Sequence, residues 1–224
     1  MGPDRRDIHD GFHLCAGSSP TPYPAFWGHD ASSVTSMAAV PNAYLSPLPK
    51  AKRGRPLRKA TDLWPRAGRL LLAERLRLNT DRLVAMRAEE KALSNVWWPL
   101  ALANHLGADH EKALTLWLNS TPALAILLVH RVETEGAWVQ YKKPTFLSMP
   151  VLDVASLSRP VVEKLAQGYD RLCMASLLPL PHMAEDTARK DVDQVVSDAL
   201  AIPDLSGLRS LLGREPVVSL QALS

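Results

Sequence analysis

No Gly-x-Gly occurs anywhere in the 224 residues, and no serine sits in a Gly-x-Ser-x-Gly elbow. The first absence removes Rossmann-type and phosphate-cradling glycine loops, and the second removes the nucleophile turn of α/β-hydrolases. Cysteine is scarce. Cys15 and Cys173 lie far apart with neither metal nor redox spacing, which argues against a disulfide framework and is compatible with a reducing cytosol. His9, His13 and Cys15 are close enough to ligate zinc but bring no fourth ligand at suitable spacing, so no metal is expected. No apolar run reaches the roughly 18 to 20 residues of a membrane span. The best candidate, Ala113 to Val129, carries Asn119, Ser120, Thr121 and Pro122 in its middle and reads as a buried core helix. Met1-Gly-Pro-Asp-Arg-Arg-Asp has no apolar signal region, so a cytoplasmic chain with no membrane partner is expected.

What the chain has in excess is proline, 18 residues, concentrated in the first 65 positions and at Pro144, Pro150, Pro160, Pro179 and Pro181. Loops and short elements should therefore abound, with no long helix before residue 109. An apolar content of 46% with 22% charge is that of a globular chain, long enough for one domain or one domain with a helical appendage. The net charge of +3 is unevenly spread: between Lys50 and Arg87 twelve Lys and Arg stand against Asp62, Glu74 and Asp81, a local +9. From Met183 onward the sign reverses, with seven acids against Arg189, Lys190, Arg209 and Arg214. A basic middle suits a polyanionic partner, and an acidic tail suits a solvated or protein-facing surface.

Composition divides the chain into three. Residues 1–22, rich in Gly, Ser, Pro and charge, are expected to be a disordered N-terminal segment. Residues 23–154 are expected to form a DNA-recognition-like α+β domain. Its strands would cover Ser33 to Val40, a hairpin of Arg69 to Leu78 and Arg82 to Arg87 about the Asn79-Thr-Asp turn, and a buried third strand from Ser94 to Leu102. Asp109 can cap a buried helix that Pro122 either kinks or, with Thr121 as cap, restarts. Extended pieces follow at Trp138 to Tyr141 and Met149 to Val154. Residues 155–224 carry helical spacing: Val161, Leu165 and Leu172 behind a Ser158 cap, then Ala188, Val192, Val195, Val196 and Ala199, then Ser206 to Leu212 before Gly213. The expected class is α+β, a small, mostly antiparallel sheet with a central buried helix, followed by a C-terminal helical segment.

Three readings stay open for Lys52-Arg-Gly-Arg-Pro. Arg53 and Arg55 could lie in the minor groove of A·T-rich DNA as in an AT-hook, the loop with Lys59 could bind phosphates, or it could be a solvated basic loop. Arg75 and Arg77 share a face by the two-residue strand period, with Arg82 beside them, and could straddle phosphates or reach a guanine edge. Gln140 can read adenine, while Lys142 and Lys143 can anchor a backbone. Charge alone equally allows a solvated face for both sets. Trp97, Trp98 and Trp117 read as core before base-stacking, and Trp97 and Trp98 must face opposite sides of a regular strand.

Leu93-Ser-Asn-Val-Trp-Trp, then Ala113-Leu-Thr-Leu-Trp-Leu-Asn-Ser, then Gly136 through Lys142 to Met149-Pro-Val-Leu-Asp occur in that order. With them, Tyr23 to Val154 resembles the target-recognition region downstream of the catalytic domain in type IIG-like N6-adenine DNA methyltransferases of bacterial restriction-modification or phage-defence systems. Val161 to Leu212 match the trailing helices of that family. The resemblance implies double-stranded DNA as a partner, met by Arg53, Arg55, Lys59, Arg75, Arg77, Arg82, Gln140, Lys142 and Lys143. The family's Asn-Pro-Pro-Tyr-type motif and glycine-rich S-adenosylmethionine loop are missing from the chain, so the resemblance implies no catalytic residue and no cofactor in it. S-adenosylmethionine would bind the missing catalytic domain, supplied by a separate methyltransferase chain, and the protein would be a split subunit or a truncated remnant. Pro122 departs from the continuous helix usual in the family. The competing expectation is a protein-interaction or scaffold module that binds through its C-terminal helices.

Overall fold

A computed structural model describes residues 1–15, 20–28, 33–133 and 138–220. The expected disorder of residues 1–22 is not what their described part shows: α1 (Arg5–Gly11) runs into β1 (Phe12–Leu14). Two anchors explain the order. Ile8 and Phe12 are buried in a small cluster with Ala25, Leu45, Leu63 and Leu93, too few apolar positions to register as a period in the sequence. The next strands are short, as the prolines require: β2 (Pro24–Phe26), β3 (Ala38–Ala39) and β4 (Ala43–Pro47). A single helical turn, α2 (Ala60–Leu63), and a 3-10 turn at Trp64–Arg66 lead into the sheet.

The apolar run after Arg69 becomes β5 (Gly68–Ala73), and the chain then bends at Glu74 into β6 (Arg75–Arg77). A turn at Asn79–Asp81 follows, closed by the Asp81 carboxylate, which accepts the Arg77 amide at 2.6 Å. β7 (Ala85–Ser94) returns antiparallel to β5, so the expected hairpin exists with its arms at β5 and β7 while β6 leaves for another sheet. The expected strand from Ser94 to Leu102 is instead a corner after β7 and then β8 (Trp97–Leu100), which pairs with β5. The reason is local: the Ser94 hydroxyl accepts the amides of Val96 and Trp97 at 3.1 and 3.0 Å, which turns the chain out of β7 within an apolar stretch. The strands order as β1-β4-β2-β7-β5-β8, with β3 also on β7, and among the described residues only the β2 and β3 pairings with β7 are parallel.

The helical half begins with α3 (Ala108–Leu118), with Gly107 at its N-cap position and the expected cap Asp109 in its first turn, and α4 (Thr121–Val129), with Ser120 at its N-cap position. The two are bent by 68°, so Pro122 starts a new helix; among the described residues no single helix is long and apolar enough to cross a membrane. β10 (Trp138–Gln140) pairs with β6 on one side and β9 (Val132–Glu133) on the other in a second, three-stranded antiparallel sheet. The segment after Gln140 is helical, α5 (Lys143–Ser148), and no strand forms over residues 149–154. α6 (Arg159–Leu172), α7 (Thr187–Leu200), α8 (Ser206–Arg214) and α9 (Pro216–Ser219) follow, with Ser158 at the N-cap position of α6. With 41% helix, 19% strand and a mostly antiparallel sheet, the fold is α+β.

A buried polar chain joins the two halves. The Asn119 side chain accepts the amides of Val84 and Ala85 at 2.9 and 3.2 Å and donates to the carbonyls of Ala85 and Thr115 at 2.8 and 2.9 Å. Arg189, fully buried, donates to the Asn119 carbonyl at 3.0 Å and to the Arg82 carbonyl. One turn further along α7, Asp193 accepts the Thr121 amide at 2.8 Å, the Thr121 hydroxyl at 2.6 Å and the Arg209 guanidinium at 2.6 Å. A distant carboxylate thus serves the buried N–H end of α4, whose first amides have no partner within the helix.

Candidate nucleic-acid interface

The alternation Arg-Leu-Arg in β6 and Trp-Val-Gln in β10 sets the two faces of the small sheet. Leu76 and Val139 face each other across the strands, and both are fully buried. The register then places Arg75 opposite Gln140 and Arg77 opposite Trp138 on the outer face, where directly opposed side chains lie ~5 Å apart at Cβ. Both arginines are exposed, Trp138 is 42% exposed, and Val132 of β9, also 42% exposed, sits beside Gln140. Lys142 is exposed two residues beyond Gln140, at the N-cap of α5. Residues some sixty positions apart in the chain thus share one cationic surface with an aromatic ring.

Lys143 is committed elsewhere. Its ammonium pairs with Asp4 at 2.8 Å and lies 4.8 Å from the centre of the Trp98 ring. Trp98 is itself buried, with its indole N–H directed at the Tyr141 carbonyl at 3.4 Å, and Trp97 and Trp117 are core residues. Tyr141 donates its hydroxyl to the Leu127 carbonyl at 3.3 Å, and burial pushes that phenol far above its ordinary range.

Arg82 does not join the surface. Its guanidinium donates inward to the Leu177 carbonyl at 2.8 Å while its own carbonyl receives Arg189. The Asn79–Asp81 turn aims it at the helical layer, a direction that charge counting cannot see.

The basic loop forms a separate patch. The Arg55 amide donates to the Lys52 carbonyl at 3.1 Å around Gly54, whose φ of 72° suits a glycine, so Lys52 to Arg55 is a reverse turn. An AT-hook lays its arginines along an extended path, which this turn does not provide. Arg53 and Lys59 are exposed, whereas Arg55 pairs with Asp10 at 3.2 Å and Arg58 with Asp7 at 3.0 Å.

Between loop and small sheet runs an open cleft of about 510 Å³ lined by residues of α1, by Arg58, by Glu74 and by Trp98. Burial raises the Glu74 carboxyl above its ordinary range against the opposing pull of Arg75 and Arg5. The His9 imidazole is held below its ordinary range first by burial and then by Arg5, Lys52 and Arg55. Arg5 and Arg6, both exposed at this cleft, belong to the segment expected to be disordered. The signal that could have found them is the spacing of Asp4, Asp7 and Asp10 about Ile8, one face of a short helix.

Comparison with protein-family models, curated proteins and solved structures found no match.

Proposed function

We propose that the chain is the non-catalytic, DNA-binding (target-recognition) portion of an adenine-specific DNA methyltransferase of a restriction-modification or defence system, acting in the cytoplasm beside a separate catalytic chain. The observation that carries the DNA-binding part is the outer face of the small sheet, where Arg75, Arg77, Gln140 and Trp138 meet. In this reading Arg75 and Arg77 grip phosphates, Lys142 extends the contact, and Gln140 reaches a base edge, for which its amide offers a donor and an acceptor side by side. Arg53 and Lys59 add a second phosphate contact from the loop. Methyl transfer, and S-adenosylmethionine with it, belongs to the catalytic chain, for which the ordered motifs quoted above are the support.

The test is titration of a labelled DNA duplex against the chain over a range of salt. Log affinity should fall linearly with log salt, with a slope of about −0.9 per phosphate engaged. Arg75→Ala with Arg77→Ala should weaken binding about tenfold or more and flatten that slope by nearly two. An affinity indifferent to salt, or a double variant that binds like the parent, would refute the assignment.

A further inference from the structure

From its N-cap onward α1 presents a carboxylate every third residue, and each one reaches a cation distant in the chain. Asp4 holds Lys143 of α5 at 2.8 Å, Asp7 holds Arg58 at 3.0 Å, and Asp10 holds Arg55 of the basic turn at 3.2 Å. Two of these partners, Lys143 and Arg55, are among the side chains the sequence assigns to DNA. At ~1.5 Å rise per residue the three carboxylates recur every ~4.5 Å along the helix axis, a row of negative charge on a rigid element. Arg55 and Arg58 are 41% and 52% exposed at their side chains, so they can turn to another anion without leaving the fold. α1 need not move either, because Ile8 keeps it docked.

We propose that α1 is a built-in phosphate mimic that masks part of the basic surface: its carboxylates hold Lys143, Arg58 and Arg55 until a DNA strand exchanges for them, and so set the affinity below what the cations alone would give. This rests on the DNA-binding reading above. It concerns how strongly that surface binds a duplex and not which sequence it reads.

The experiment compares two double variants of the full chain by duplex titration over salt. In Asp4→Asn with Asp7→Asn, two mimic carboxylates are neutralised while the buried Asp10 is kept so that the fold survives. In Glu185→Gln with Asp191→Asn, two exposed acids at and near α7 are neutralised, giving the same net charge. The first should bind about five- to tenfold tighter than the parent, with the salt slope steeper by up to about 1.8 as two more cations meet phosphates. The second should change affinity by less than about twofold and leave the slope alone. Adding Arg58→Ala to Asp7→Asn should remove the gain of the latter, since the released cation is then absent. Equal gains in both double variants, or a gain that survives Arg58→Ala, overturn the mask while leaving DNA binding intact. No duplex binding by the parent or either variant overturns the mask and the DNA-binding reading together.

Discussion

Asn119 carries more of the architecture than any tryptophan beside it. A single amide closes α3 through the Thr115 carbonyl and holds the start of β7 through Val84 and Ala85, and its own carbonyl receives Arg189. The side chain is 1% exposed, so no water replaces these partners when it is removed. Asn119→Ala should therefore cost about 3 kcal/mol, because it leaves the Val84 amide and the Ala85 carbonyl buried without their partner. Urea unfolding followed by tryptophan fluorescence measures it; a loss below about 0.5 kcal/mol would mean that water enters the site. The sequence shows only part of this role. Asn119-Ser120 reads as a local hydrogen-bonding pair, which fits Ser120, whose hydroxyl donates to the Trp117 carbonyl at 2.6 Å. The partners of Asn119 in β7 lie 34 and 35 residues earlier, beyond any local pattern.

Elements were legible where one face alone is buried. α6 begins after Ser158 as its spacing implies, with Val162, Leu165, Ala166 and Tyr169 inward. β6 and β10 alternate cleanly, so the pairing of Arg75 with Arg77 on one face could be read in advance, whereas their meeting with Gln140 and Trp138 depends on a register that no single sequence supplies. β5 and β8 are buried on both faces, and there the apolar run conceals where a strand stops, which hides the turn after Ser94. Gly168 shows a further element-scale constraint. A Cβ at that position would stand 2.4 Å from Cγ1 of Val195 and 3.2 Å from Cδ2 of Leu116, so α6 lies in contact with both α7 and α3 only because the side chain is absent. In a solvated helix Gly→Ala would gain about 1 kcal/mol, but overpacking of a branched neighbour costs about 1 to 3 kcal/mol. Gly168→Ala should therefore destabilise or at best leave stability unchanged, and a clear rise in the thermal midpoint would show that α6 can slide on its neighbours.

At the scale of the whole molecule, the composition shift near residue 155 suggests a recognition domain with a separable helical tail, but the tail is sewn into the rest. One apolar cluster runs from Phe26 to Val218 and includes Val162, Leu165, Val192 and Val196 together with the sheet residues Leu70 to Ala73. Polar links cross the same boundary: the Ala38 amide donates to the Cys173 carbonyl, Arg189 reaches Arg82 and Asn119, and Asp193 holds Thr121. The acidic surplus after Met183 is the same at the surface as in the sequence, since the buried Asp186 and Asp193 are matched by the buried Arg189 and Arg209. Any partner of the helical half must accordingly dock on its outer side, where Met174 and Leu211 are 75% and 59% exposed. A chain ending at His182 loses Val192, Val195 and Val196 from the core, roughly 1.5 to 3 kcal/mol each, and orphans the groups that Arg189 and Asp193 satisfy. Against a typical total of about 5 to 15 kcal/mol, that loss is enough to abolish cooperative folding. Residues 1–182 should therefore show neither a near-ultraviolet circular dichroism signal nor a sigmoidal thermal transition, while the full chain shows both. A fragment that melts cooperatively within a few degrees of the parent would mean that the sheet and α3 hold together without α7.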